Sequence, residues 1–264
     1  VDYLIEDVFE RLPPHIQTFL LQTSILNRLC GPLCDAVLGA TELDQGPRAP
    51  EQSPATLKTL ARDPQPPPSA SDSYSRLILD TLERDNLFLV PLDADRHWYR
   101  YHHLFAEVLR DRLIAGAPPE QVAVLHRRAS AWYAAHGLLT AAVGHALEAG
   151  AIDDVVAIVE PVGLAMATRV GEATLRSWLP AIPEATIRAR PRLALLRAWL
   201  CLADYDLSGA NKWLEVAETA LARVAVAGLD DVRVERALGE ELRVREVAGG
   251  VLEDVDEAVA DAPA

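Results

Sequence analysis

The sequence predicts a mainly α-helical protein: a winged-helix domain with one β-hairpin, followed by a helical-repeat region of tetratricopeptide-like type. Three observations support this prediction. Apolar residues recur at helical spacing along most of the chain, one short stretch is typical of a β-hairpin, and glycines separate the later helical segments. The length of 264 residues allows two domains, which we place at 1–117 and 118–264.

The first domain is predicted to begin with two short helices before residue 40. The prolines at 13–14 suit a first helical turn, and Gly39 suits the cap that ends the second helix. Residues 41–72 contain seven prolines, which are incompatible with a continuous helix or strand. We therefore expect a flexible insertion there, after which helical periodicity returns at 77–82.

The β-hairpin is predicted from three adjoining segments. Residues 87–92 form a compact apolar run, residues 93–96 have the composition of a turn, and residues 97–101 are aromatic and alternating. Three short helices followed by one hairpin are the outline of a winged helix.

Many winged helices bind DNA, so the charge of the helix before the hairpin matters. Residues 72–85 carry two arginines against four acidic residues, and the chain as a whole has a net charge of −14. Phosphate neutralisation requires the opposite sign of charge. The sequence therefore predicts that this winged helix serves packing and does not read DNA.

The second domain is predicted to be a truncated set of stacked helices. Leucines at 193, 196 and 200 mark one face of a helix whose other side carries residues 195, 199 and 202. A helix that is apolar on two sides is buried between neighbours. The lack of a long apolar run predicts a cytoplasmic protein without a membrane span, and Val1 in place of methionine predicts a piece of a longer chain.

The sequence offers no motif for catalysis or for metal binding. Cys30 and Cys34 have no second ligand pair, so buried reduced thiols are expected, and no phosphate-binding loop or nucleophile motif occurs. We therefore predict no catalytic residues, no metal site and no enzymatic activity of this chain. The histidines are predicted to fall on three separate helices without metal-ligand spacing; they are His102, His103, His126, His136 and His145.

One stretch reverses the overall charge. Residues 96–128 carry six arginines against three acidic residues, and the octapeptide WYRYHHLF stands near its start at 98–105. His102 falls where a strand passes into a helix N-terminus, a position that favours anions. The alternative is an aromatic hairpin that packs on its helix, with His102 exposed or capping.

These segments resemble a known family. The runs SIL (24–26), LCDAV (33–37), LFLVPLD (87–93) and the octapeptide are similar to the MalT-like branch of LuxR-type transcription regulators, which are large signal-transduction ATPases of the STAND class. The resemblance covers roughly residues 15–225 and implies that this chain is the central part of such a regulator. An ATPase module would precede it and a DNA-binding helix-turn-helix would follow it.

The resemblance also implies a role for His102. In related STAND proteins a winged-helix motif similar to Met-His-Asp-Leu presents its histidine to the β-phosphate of ADP, and this motif matches residues 101–104. His103 replaces the acidic position of that motif. ATP or ADP is thus expected in the longer protein, with no nucleotide bound to this chain alone.

Further partners follow from the same resemblance: an inducer at the helical repeats, self-association of the longer protein, and DNA through the C-terminal module. The expected function is the coupling of nucleotide state and inducer signal to transcription activation. The alternative, from a different class, is a freestanding helical-repeat scaffold that binds a partner protein without any nucleotide.

Overall fold

A computed structural model describes residues 8–39, 73–167 and 172–226, and the chain divides into two compact units, 1–151 and 152–264. The insertion predicted at 41–72 lies outside the described residues. The predicted domain boundary at residue 117 stays a prediction, whereas the first compact unit itself extends to Ala151.

The first unit is built from six helices and one hairpin among its described residues, after a helical stretch at 8–10. Gly39 ends the second helix in the left-handed conformation (φ 79°), as its predicted cap requires. In chain order the elements are α1 (Pro14–Thr23), α2 (Gly31–Leu38), α3 (Tyr74–Arg84), β1 (Leu89–Pro91), β2 (Tyr99–Tyr101), α4 (His103–Gly116), α5 (Pro119–Ala135) and α6 (Leu139–Glu148).

The predicted hairpin is confirmed. Strands β1 and β2 pair antiparallel, with Leu89 opposite Tyr101. The carboxylate of Asp93 closes the turn, because it accepts hydrogen bonds from the backbone N–H groups of His97 (2.7 Å) and Trp98 (3.2 Å). Leu29 exchanges two backbone hydrogen bonds with Tyr99 on the other side of β2, which gives the hairpin a third, single-residue neighbour.

Helices α5 and α6 form a hairpin that belongs to the first unit. Helix α5 packs on α2, and Trp132 of α5 meets the buried Trp98 of the β-hairpin edge to face at 6.3 Å. Ser130 donates a hydrogen bond to the carbonyl of Ala142 (2.8 Å), which joins α5 to α6. Arg128 donates to the carbonyl of Val37 (3.2 Å) at the C-terminus of α2.

The second unit is helical in all of its described residues that have regular structure. The elements are α7 (Ile152–Ala167), α8 (Glu172–Trp178), a 3₁₀ turn (Leu179–Ala181), α9 (Glu184–Ala189), α10 (Pro191–Ala203) and α11 (Leu207–Val226). Helix α10 packs against α7 and α11, and residues 204–206 connect it to α11.

The two-sided burial of α10 is confirmed. Its buried residues include Leu193, Leu195, Leu196 and Leu202, which point to different sides of the helix axis. Among the residues that the structure describes, no helix has the length and apolar character that crossing a lipid bilayer requires.

Candidate functional site

His102 lies at the junction of β2 and α4. Its backbone N–H donates to the carbonyl of Phe88 (2.7 Å), and its own carbonyl accepts the first hydrogen bond of α4, from Ala106 (2.9 Å). The residue is therefore the N-cap of α4, with extended backbone angles (φ −57°, ψ 135°). Both hydrogen bonds use the backbone, which leaves the imidazole available for another partner.

Aromatic packing explains why this junction forms. Phe88 stacks on Phe105 at 4.8 Å, and Tyr101 meets the same ring edge to face at 5.9 Å. Because Tyr101 and Phe105 are buried on either side of the turn, the strand-to-helix change directs the intervening His102 and His103 outward. His102 is thus exposed, which agrees with both interpretations of the sequence, and its role in binding a phosphate stays a prediction.

The local electrostatics suit an anion. The first turn of α4 contains no acidic residue, and the helix is 14 residues long, so its N-terminus carries a partial positive charge. The His102 side chain makes no capping bond to that turn within the described part of the chain. The His103 ring lies 4.5 Å away, and Arg100 is exposed on the preceding strand.

Most arginines of the basic stretch serve internal contacts. Arg110 donates to the carbonyl of Ser24 (2.8 Å) and to the side chain of Asn27 (3.2 Å), and Arg112 pairs with Glu10 at 3.3 Å. Arg128 donates to the carbonyl of Val37 at the end of α2. The net positive charge of this stretch therefore contributes less to an anion-binding surface than its composition suggests.

The charged side chains of α3, the helix before the hairpin, also make internal contacts. Arg76 pairs with Asp80 (3.0 Å), Arg96 of the turn pairs with Glu83 (3.3 Å), and the Tyr99 hydroxyl donates to Glu83 (3.1 Å). The two contacts of Glu83 join α3 to the hairpin, which agrees with a winged helix used for packing. They border an open polar cleft of about 590 Å³, lined by Arg76, Asp80, Glu83, Arg84, Asn86 and Arg96.

The cysteines match the expectation of buried thiols. Cys30 and Cys34 are both buried, and burial raises the pKa of the Cys30 thiol to about 12 and also raises the pKa of the Cys34 thiol. Within residues 8–39, 73–167 and 172–226, no group of three or more potential ligands could hold a metal ion. The structure does bring together two histidines that the sequence left apart, His126 and His145.

The fold and the exposed strand-to-helix junction define the class: a winged helix without a basic reading helix, followed in the chain by packed helices. The family model of the MalT winged helix domain matches residues 5–65 and 69–122. Residues 5–122 therefore contain a winged helix domain of the MalT type, as the sequence resemblance predicted.

Similarity to individual relatives extends beyond the winged helix. The serine/threonine-protein kinase PknK of Mycobacterium tuberculosis is 32% identical over 262 residues, which are 99% of this chain and 20% of the relative. The HTH-type transcriptional regulator MalT of Vibrio campbellii is 27% identical over 217 residues (82% and 20%), and that of Klebsiella pneumoniae over 224 residues (84% and 21%). The chain thus spans about a fifth of the length of these relatives.

Proposed function

We propose that this chain is the switch and sensor segment of a longer MalT-like regulator. In this proposal the winged helix reports the nucleotide state of an ATPase module, and the helices of the second unit receive an inducer. The observation that carries the proposal is the position of His102. Its backbone hydrogen bonds fix the residue at the N-terminus of α4, and its imidazole is exposed there.

His102 would contact a phosphate oxygen of ADP. An imidazole N–H and the free N–H groups of a helix N-terminus are both donors that suit a phosphate. A hydrogen bond to a charged group contributes roughly 1.5–3 kcal/mol when it is well aligned. That energy would favour a closed state, and inducer with ATP would shift the population to an open state that self-associates.

The relatives suggest two different outputs for the longer protein. The relatives include one named as a kinase and several named as HTH-type transcriptional regulators, and this chain resembles both kinds over more than four-fifths of its length. A segment shared by proteins with different outputs fits signal reception better than output. We favour transcription activation, because the winged-helix match is to MalT.

The test uses the longer protein that contains this chain and its ATPase module. His102→Ala should weaken ADP affinity by roughly 10- to 100-fold, the equivalent of losing the bond above, and should raise inducer-independent output. His103→Ala is the matched control, because His103 is the neighbouring exposed histidine. Isothermal titration with ADP measures the affinity, and an unchanged affinity in His102→Ala would refute the phosphate contact.

A further inference from the structure

A pair of histidines joins α5 to α6 in the first unit. The Nδ1 atom of His126 in α5 lies 3.0 Å from the Nδ1 atom of His145 in α6, and the ring centroids are 5.1 Å apart. The residues are 19 positions apart, on two helices whose mutual packing sets which side chains meet. Nothing in the proposed nucleotide switch uses this pair.

The chemistry of an Nδ1–Nδ1 hydrogen bond limits the pair to one shared proton. A neutral imidazole donates from one ring nitrogen and accepts at the other, whereas a protonated imidazole donates from both. One histidine must therefore donate from Nδ1 and the other must accept at Nδ1. When both rings are protonated, two N–H groups face each other and the hydrogen bond is replaced by charge repulsion.

The surroundings favour the neutral form of His145. Its side chain is buried, and the ring of Tyr133 stacks on it at 5.4 Å and 13°. Burial, and to a smaller degree the neighbouring His126, lower the pKa of His145 to about 4. Tyr133 stays neutral as well, because burial and the neighbouring thiols of Cys30 and Cys34 raise its pKa.

His126 is half-buried and meets charged groups from two helices. Burial lowers its pKa most, the carboxylate of Glu148 in α6 opposes that shift, and the guanidinium of Arg110 in α4 adds to it. The pair is thus placed where protonation of a second ring is unfavourable in the folded protein.

We propose that His126 and His145 form a proton-sensitive contact that holds the α5–α6 hairpin together when at least one ring is neutral and opens it when both are protonated. The effect extends to the winged helix, because α5 packs on α2 and its Arg128 binds the end of that helix. The ligand of this device is the proton.

The direction of the pH dependence follows from the lowered pKa. Above pH 6.5 His145 is neutral in both the folded and the unfolded chain, so its contribution is constant. As the pH falls from 6.5 towards 4, the unfolded chain binds a proton that the folded protein resists. Stability is therefore lost over that window, and the unfolding equilibrium constant should rise roughly 20-fold between pH 7 and pH 5 from His145 alone.

The first experiment is an NMR titration of the imidazole nitrogens in the full chain from pH 7.5 to 3.5. We expect one histidine with its proton on Nδ1, two histidines that titrate below the exposed ones, and loss of α5 and α6 amide signals as they protonate. Titration of all histidines near pH 6.5, with the α5 and α6 signals unchanged, would overturn the proposal.

The second experiment measures urea unfolding at pH 7 and pH 5 for His145→Asn, whose amide occupies the Nδ1 position but does not titrate. In this variant the unfolding equilibrium constant should rise much less between pH 7 and pH 5. His15→Asn, which replaces an exposed histidine of α1, should keep the full rise. Unchanged pH dependence in His145→Asn would contradict the proposal. If that variant does not fold, the titration of the unmodified chain decides alone.

Discussion

The two units of the molecule differ in the kind of contact that stabilises each of them internally. In the first unit, hydrogen bonds join residues far apart in the chain: the hydroxyls of Thr23 and Tyr101 (2.7 Å, 78 positions apart), and Arg128 to the carbonyl of Val37 (91 positions apart). In the second unit, helices that are close in sequence pack on one another around α10, and the ion pairs Arg176–Asp204 and Arg190–Glu160 join residues 28 and 30 positions apart.

The two kinds of contact predict different degrees of folding cooperativity in the two units. A contact between residues far apart in the chain costs loop-closure entropy, and once one such contact has formed the next closes a shorter effective loop, so these contacts in the first unit support one another. A stack of helices that touch mainly their neighbours approximates a sum of local stabilities. We therefore expect the first unit to respond as a whole to a local change and the second unit to respond locally.

The largest effects should come from fully buried leucines, one in each unit. Leu109 of α4 and Leu195 of α10 both have 0% exposure, so truncation to alanine should cost each unit about 2–5 kcal/mol. Hydrogen exchange measured by mass spectrometry should then differ. Leu109→Ala should reduce protection in every helix of the first unit, whereas Leu195→Ala should act mainly on α10 and its neighbours. Loss of protection throughout the second unit in Leu195→Ala, or only around α4 in Leu109→Ala, would contradict this contrast.

A smaller effect tests one long-range hydrogen bond of the first unit. The Thr23 hydroxyl donates to the carbonyl of Phe19 (2.7 Å), so its single proton is used and Tyr101 is the donor to Thr23. Tyr101→Phe should cost about 1 kcal/mol, because Thr23 keeps its other partner. Thr23→Val should cost more, about 1–3 kcal/mol, because a buried Tyr101 hydroxyl loses its acceptor. Urea unfolding measures the loss of stability in both variants. A larger loss in Tyr101→Phe than in Thr23→Val would contradict the assignment of Tyr101 as the donor.

Local sequence signals were sufficient for the helices and the hairpin. The turn at 93–96 was predictable because an aspartate at its first position accepts local backbone bonds, and the two-sided leucine pattern of α10 reflects burial directly. The pairing of Leu29 with Tyr99 was not predictable, because a single bridging residue has no periodicity. It depends on how the loop after α1 packs against β2.

The site shows the same division. The place of His102 between a strand and a helix was predictable, because an alternating aromatic run is followed there by a helical pattern. Its exposure agrees with both interpretations of that position, a phosphate contact and a packed hairpin. The use of Arg110 and Arg128 could not be predicted, because their acceptors are backbone carbonyls 86 and 91 positions away. Composition reports charge, but only tertiary structure shows which charges are already occupied.

The ion pairs of Arg176 in the second unit should depend on ionic strength. Arg176 donates to both carboxylate oxygens of Asp204 and to Glu172, and this contact lowers the pKa of Asp204. All three side chains are substantially exposed, so Arg176→Ala should destabilise the protein less than Tyr101→Phe does. The loss should shrink in 1 M NaCl, because salt screens exposed pairs. Thermal unfolding at 50 mM and 1 M NaCl measures it, and an effect independent of salt would exclude an electrostatic origin.

The smallest effect on stability is expected at His102, where the side chain and the backbone can be separated. His102→Ala keeps both backbone hydrogen bonds and removes an exposed ring, so the free energy of unfolding should change by less than about 0.5 kcal/mol. His102→Pro removes the N–H that donates to Phe88, while its preferred φ near −65° matches the observed −57°, so it should cost about 1 kcal/mol. Urea unfolding of the two variants separates a side chain available for binding from one that supports the fold. If His102→Ala were as destabilising as His102→Pro, the ring would have a structural role, and a change of ADP affinity in that variant could no longer be assigned to a lost phosphate contact.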